Sequence, residues 1–299
     1  MKASVKLWNK VRQPEGFISV DPLPSVEELR AFYGEQYYQQ SLSVSYQAAY
    51  SDQELAYKRM QARLVMHAIG GCRNRGQEFL DVGCGEGFLL AEASHQGWSV
   101  TGVDLSGHAI GKFHPDLCDN VEIDDAMTAI DHFAAEGRRF DACVLQNVLE
   151  HVAQPREMLG RLRGILAPGG KLLVTLPNDY SRVQEELLRT GMVDHEYWLA
   201  PPQHLHYFNI PAACTLARAR GYTVADIFSD FPIEVFLFHP GSNYVSLRET
   251  GPLAHRARMT ISLLCAEQGL DAYLALCRAC AGCGIGRAFT LVLMADENH

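Results

Sequence analysis

The chain has 299 residues, 47% hydrophobic and 20% charged, with 26 Lys and Arg against 35 Asp and Glu for a formal charge of −9. This composition supports a buried core in one large or two small domains and excludes disorder as the main state. The acidic balance, without any basic run, argues against nucleic acid as a partner. No stretch approaches the roughly 18 apolar residues of a spanning helix, and residues 1–10 lack the apolar centre of a secretion signal, so a cytoplasmic chain with no membrane span is expected.

In chain order, Pro14, Pro22 and Pro24 precede Ser25–Glu28, a capping box for a helix carrying Leu29, Phe32 and Tyr33. A second helix is expected over Asp52–Ile69, from Leu55, Met60, Leu64, Val65, Ala68 and Ile69 at helical spacing before the Gly70–Gly71 stop. Residues 1–76 therefore read as an N-terminal helical segment. From Glu78, short apolar runs alternate with helical stretches, the pattern of a parallel sheet wound with crossover helices. Strands are expected at Phe79–Val82, Ser99–Val103, Val121–Ile123, Phe140–Leu145 and Lys171–Leu176. The helices fall near Gly87–His95, Ala109–Phe113, Thr128–Glu136 and Arg156–Leu166, the last stopped by Ala167-Pro-Gly-Gly170. A polar and aromatic stretch follows to Asn209, then a helix over Ile210–Arg220 and a strand over Tyr222–Phe228. Residues 229–286 break the alternation with an aromatic turn or strand at Phe231–Phe238 and further helices, before a terminal strand at Ala288–Met294. The organisation is thus 1–76 (N-terminal segment), 77–228 (core), 229–286 (helical insertion) and 287–299 (last strand).

The strongest motif is Phe79-Leu-Asp-Val-Gly-Cys-Gly-Glu-Gly87, a strand that ends in three alternating glycines and opens a helix. Glycine suits positive φ and close approach of backbone to a ligand, and the helix N-terminus beyond offers N–H groups to an anion. The spacing is G-x-G-x-G, unlike the G-x-G-x-x-G of dinucleotide-binding turns. The next strand ends at Asp104, 19 residues after Gly85, where a carboxylate can accept both hydroxyls of a ribose. Asp124-Asp125-Ala126 and Gln146-Asn147 place polar groups at the ends of the third and fourth strands, the ligand-binding edge of an open parallel sheet.

Over about Glu78–Phe228 these residues, with Phe140-Asp-Ala, Leu149-Glu-His-Val152 and Leu166-Ala-Pro-Gly-Gly-Lys171, make the chain similar to the class I S-adenosylmethionine-dependent methyltransferases. The run Asn147-Val-Leu-Glu-His-Val152 with Pro155 resembles the subgroup of ubiquinone-biosynthesis O-methyltransferases and relatives acting on sugars and natural products. The resemblance implies an α/β, doubly wound, seven-stranded, mostly parallel Rossmann-like sheet. S-adenosylmethionine would be held by Asp81, Gly83, Cys84, Gly85 and Gly87, by Asp104 and Leu105, by Asp125 and Ala126, and by Gln146 and Asn147. Phe32–Tyr38 is similar to segments that cover the cofactor in related enzymes, and Gln203–Phe208 to one that precedes their penultimate helix.

Methyl transfer from a sulfonium is an in-line displacement, so positioning and exclusion of water dominate, while an alcohol or phenol acceptor benefits from a base. Histidine suits that task because its pKa lies near neutrality. His151, His195, His204 and His206 are the candidates, with His151 at the cofactor rim and His204 and His206 facing one way in an extended segment; each could instead cap or pack. No magnesium-type carboxylate cluster is evident around an acceptor, so no catalytic metal is expected. The nine cysteines, an odd number in a chain too long to need disulfide staples, read as reduced thiols; Cys277, Cys280 and Cys283 have metal-like gaps but lie on or beside an Ala/Leu-rich helical run, where packing explains them. Tyr37, Tyr38, Tyr46 and Tyr50 either line an acceptor pocket or pack the N-terminal helices. The expected activity is methyl transfer to a small molecule, most simply to a hydroxyl of a sugar or secondary metabolite, with C- or N-methylation or a non-catalytic cofactor-binding subunit as alternatives. A homodimer is compatible with this reading.

Overall fold

The computed structural model describes residues 8–24, 28, 50–71 and 76–296. Its centre is a seven-stranded sheet built by the alternation expected from the sequence. The strands are β3 (Glu78–Val82), β4 (Ser99–Asp104), β5 (Val121–Ile123), β6 (Phe140–Gln146), β7 (Leu166–Pro177), β9 (Tyr222–Ser229) and β10 (Ala288–Ala295), in the order β5-β4-β3-β6-β7-β10-β9. β3, β4, β5, β6 and β7 pair in parallel, and β10 runs antiparallel to both β7 and β9. The chain first winds outward through β3, β4 and β5, then returns to lay β6 on the other side of β3. Ligands of open α/β sheets bind at such a reversal, outside the carboxyl ends of the strands.

Both faces of the sheet are covered, which is why its strands read as continuous apolar runs. Cys143 and Leu145 of β6 and Leu172 and Val174 of β7 point to one layer, formed by α4 (Ala126–Ala135), α5 (Pro155–Ile165) and α7 (Ile210–Ala219). Ala142, Val144 and Leu173 point to the opposite layer, formed by α1 (Asp52–Ile69), α2 (Phe88–His95), α8 (Gly251–Glu267) and α9 (Leu270–Gly282). The remaining helices are α3 (His108–Phe113) and α6 (Arg182–Arg189). Local signals set the ends: Ser51 and Glu54 form a reciprocal capping box on α1, and Gly70 closes it at φ 100° with its N–H on Met66 and His67.

Three expectations need correction. The first 76 residues are not helical throughout: β1 (Asn9–Arg12) and β2 (Ile18–Asp21) form a hairpin, completed as a second sheet by β8 (His206–Tyr207). The short, polar β1 carries little signal of its own, and the partner on the other side of β2 lies 187 residues further along the chain. Phe231–Phe238 is neither a turn alone nor a strand, because Ile233–Phe238 winds as a 3-10 helix after Pro232 and buries Glu234 and Leu237. Leu166 belongs to β7, paired with Phe140, and does not end α5. The cysteines are free among the described residues; Cys277 packs in the core with Phe228 and Val292 of the sheet, Cys280 is buried, and Cys283 is exposed beyond the helix. The expected helix at Ser25–Tyr33, the cover segment Phe32–Tyr38, and Tyr37, Tyr38 and Tyr46 lie outside the described residues, apart from Glu28.

Candidate functional site

The glycine turn is a backbone device. Gly83 and Cys84 both donate to the Val103 carbonyl at 2.7 and 3.1 Å, bending the chain away from β3 toward β4. Gly83, Gly85 and Gly87 have φ of 76°, 52° and 79°, values that side-chain-bearing residues rarely adopt. A Cβ on Gly83 would lie 2.5 Å from Val148 Cγ2, and one on Gly87 2.9 Å from Ile110 Cδ1. The first contact seats the turn after β6, Asn147 to His151, directly on the glycine turn.

Asp104 fastens the other side. Its Oδ2 accepts the Gly85 N–H at 2.9 Å and its Oδ1 the Ser106 N–H at 3.1 Å. Asp81, almost fully buried at the end of β3, has its carboxyl pushed up to about 7 by burial and by the Asp104 charge. Cys84 is buried beside them, its thiol pushed far up by burial and by the two acids, so it is no thiolate nucleophile. Leu105 is 50% exposed and Ile123 56% exposed, so the ends of β4 and β5 present apolar surface. Asp125 caps α4, its Oδ1 accepting from Met127 and Thr128 at 3.0 and 3.3 Å, with Ala126 as the first helical residue. Gln146 ends β6, and exposed Asn147 turns the chain at φ 54° while donating its N–H to the Thr175 carbonyl. Glu86, inside the glycine turn, accepts the Tyr50 hydroxyl at 2.6 Å and pairs with Lys58 at 2.7 Å. Tyr50 thus ties the entry of α1 to this turn.

The four histidines separate. His151 Nδ1 lies 2.5 Å from the Gln203 carbonyl. A carbonyl only accepts, so Nδ1 carries the proton and Nε2 the lone pair, 3.7 Å from Glu150 Oε1. Burial lowers the His151 pKa, which keeps the ring neutral, and the bond to Gln203 partly offsets this. His204 packs edge-on to His151 at 4.9 Å, and its pKa is pushed down to about 3 by burial and by the neighbouring His151 and Arg287. His206 is removed from the acceptor-site candidates: its Nε2 is 3.0 Å from the Val152 carbonyl and its Nδ1 2.8 Å from the Ser19 hydroxyl, so both ring nitrogens are committed. It ties β2 to the segment following His151. His195 is largely exposed and pairs with Asp194 next to it.

Sequence reasoning missed the polar groups behind His151. Glu150, 1% exposed, accepts no hydrogen bond at either oxygen, and burial pushes its carboxyl up to about 8. Nearby, Arg287 donates to Asp179 at 2.8 Å and lies 3.8 Å from Glu234, which also accepts from Gln184 and Tyr197. These residues come from five segments, and only a fold brings them together. Glu150, His151 and His204 place one ligand atom each within 4.8 Å of one another, the one metal-capable group among the described residues. No sequence spacing points to it, since His204 follows His151 by more than fifty positions.

Residues 53–227 match the methyltransferase domain family. The chain belongs to that family. Its members use S-adenosylmethionine, and the site fits this cofactor. The glycine turn presents backbone without side chains at positive φ, a buried acid at Asp81 suits a cationic partner, and Asp104 and the apolar ends of β4 and β5 suit a ribose and a flat base. Similar family proteins include a mitochondrial ubiquinone biosynthesis O-methyltransferase of Arabidopsis thaliana, 34% identical over 136 residues, covering 43% of this chain and 41% of that one. The ubiquinone biosynthesis O-methyltransferase of Aeromonas salmonicida is 27% identical over 165 residues, covering 51% and 65%. The chain therefore spans less than two thirds of the length of these relatives. Among solved structures, a SAM-dependent methyltransferase from Archaeoglobus fulgidus aligns over 81% of this chain and 94% of that one, with 16% identity and a TM-score of 0.48. No helix among the described residues is long and apolar enough to cross a membrane.

Proposed function

We propose that the chain transfers a methyl group from S-adenosylmethionine to a hydroxyl of a small-molecule acceptor, a sugar or secondary metabolite, with His151 as the base. The cofactor supplies an electrophilic methyl on sulfur. Asp81, the Gly83–Gly87 turn, Asp104, Leu105, Ile123 and the Asp125–Ala126 turn hold it at the ends of β3, β4 and β5. The acceptor oxygen attacks the methyl carbon in line, the carbon–sulfur pair leaves with sulfur, and the hydroxyl proton passes to His151 Nε2. One observation carries the reading: the Gln203 carbonyl holds His151 in the tautomer with its lone pair on Nε2, beside a turn that rests on the glycine loop through Val148. O-methylation is further supported by the similarity to ubiquinone O-methyltransferases.

In this proposal residues 77–228 with the last strand hold the cofactor, and the early part of 229–286 shapes the acceptor side through Glu234, while α8 and α9 cover the sheet. The eight cysteines of the described residues are all free, which suits a cytoplasmic setting. The test is production of S-adenosylhomocysteine from a panel of hydroxylated sugars and phenols. His151→Ala is expected to lower kcat by about 10²–10⁴-fold with cofactor affinity unchanged; undiminished turnover would remove His151 as the base. Turnover abolished by a chelator and restored by a divalent cation would instead assign the Glu150, His151 and His204 group to metal binding.

A further inference from the structure

Removing His206 from the candidate bases leaves the question of what holds the carbonyl that orients His151. Gln203 sits in a turn closed by a bond from the His204 N–H to the Ala200 carbonyl at 3.0 Å. Both ends of that turn meet one side chain. The hydroxyl of Tyr207 accepts the Ala200 N–H at 3.1 Å and donates to the His204 carbonyl at 3.0 Å. Tyr207 is 1% exposed and its backbone lies in β8, paired with Ile18 of β2. The brace is therefore anchored in a sheet. Downstream of the turn, the Leu205 and His206 N–H groups bond the Glu150 carbonyl at 2.8 and 3.1 Å. At its upstream end, the Ala200 N–H goes to Tyr207.

We propose that Tyr207 is a positioning residue: its hydroxyl braces the 200–204 turn so that the Gln203 carbonyl keeps His151 in the tautomer with Nε2 as proton acceptor. This rests on the reading of His151 as the base. Burial pushes the Tyr207 hydroxyl up to about 12, so it stays protonated and keeps donating. Without the hydroxyl, the Ala200 N–H and the His204 carbonyl lose a partner, the turn gains freedom, and the ring of His151 can flip or exchange tautomers.

The experiment is ring-nitrogen NMR of the full chain, with the His151 signals assigned by their loss in His151→Ala. The wild type is expected to show a protonated Nδ1 and an unprotonated Nε2. In Tyr207→Phe the two shifts are expected to average, and kcat to fall about tenfold with KM for S-adenosylmethionine unchanged. Tyr222→Phe is the control, because it deletes another buried hydroxyl, one that donates to the Leu159 carbonyl at 2.8 Å on the far side of the core. It is expected to keep the wild-type tautomer despite a similar loss of stability. An unchanged tautomer and kcat in Tyr207→Phe overturn the proposal. If that variant does not fold, hydrogen exchange of the Ala200 amide in the wild type decides: strong protection supports the brace, and exchange at the rate of a free loop amide overturns it. Full turnover by His151→Ala would sink the base assignment alone, since the tautomer measurement needs no activity.

Discussion

Replacing Asp104 by Asn changes one oxygen to an NH2 and leaves size and shape unchanged. Oδ1 and Oδ2 each accept a backbone N–H, from Ser106 at 3.1 Å and Gly85 at 2.9 Å. Whichever way the amide turns, its NH2 confronts one of those donors. A carboxylate has roughly four acceptor sites, enough for two backbone N–H groups and both hydroxyls of a ribose; the amide oxygen cannot replace them all. A hydrogen bond to a charged group contributes about 1.5–3 kcal/mol. The loss at the backbone falls on the folded turn, and the loss at the ribose falls on binding. Affinity for S-adenosylhomocysteine should therefore drop roughly 10- to 150-fold. Removing the Asp104 charge should also lower the raised pKa of Asp81, although burial, the larger cause, keeps it above the ordinary carboxylate value. Calorimetric titration near neutral pH measures the first effect. An affinity within about threefold of wild type, in a variant that melts normally, would refute the ribose assignment.

Gly83→Ala combines a strained φ of 76° with a 2.5 Å approach to Val148, so it should cost about 1–3 kcal/mol in urea denaturation; an unchanged midpoint would contradict the geometry. Stability should also fall as pH rises between about 7 and 8. Asp81 and Glu150, at about 7 and about 8, hold protons in the folded state that the unfolded chain releases in the ordinary carboxylate range, so the stability they contribute declines from that range upward and its last part, chiefly that of Glu150, is lost between pH 7 and 8. The neutral histidines, His204 at about 3 and His206 at about 4, act oppositely and only below the ordinary histidine value. A urea midpoint rising from pH 7 to 8, or a slope unchanged in Glu150→Gln, would refute this assignment.

The proposed cofactor half of the site is legible because it is local. Asp81, the three glycines and Asp104 lie within two consecutive strand ends, and strand period and glycine spacing place them with no knowledge of the rest. The proposed acceptor half is assembled across the chain. Glu150 reads in sequence as one more polar residue of a loop, and only its burial beside His151 gives it meaning. His204 and His206 look equivalent two positions apart, yet one packs on His151 while the other is consumed by Ser19 and Val152. The apolar periodicity extends the helix to Leu166, but pairing with Phe140 across the sheet overrides that signal.

The bond between Ser19 and His206 joins positions 187 residues apart. During synthesis at roughly 5–20 residues per second, β2 therefore waits roughly 10–40 s for the strand that completes its sheet. Ile18 and Val20, both buried in the finished protein, spend that interval without their final cover. His151 is made before Gln203 can orient it, so a growing chain carries the glycine turn and the proposed base as separate parts, and the proposed acceptor site forms only as residues beyond 200 emerge.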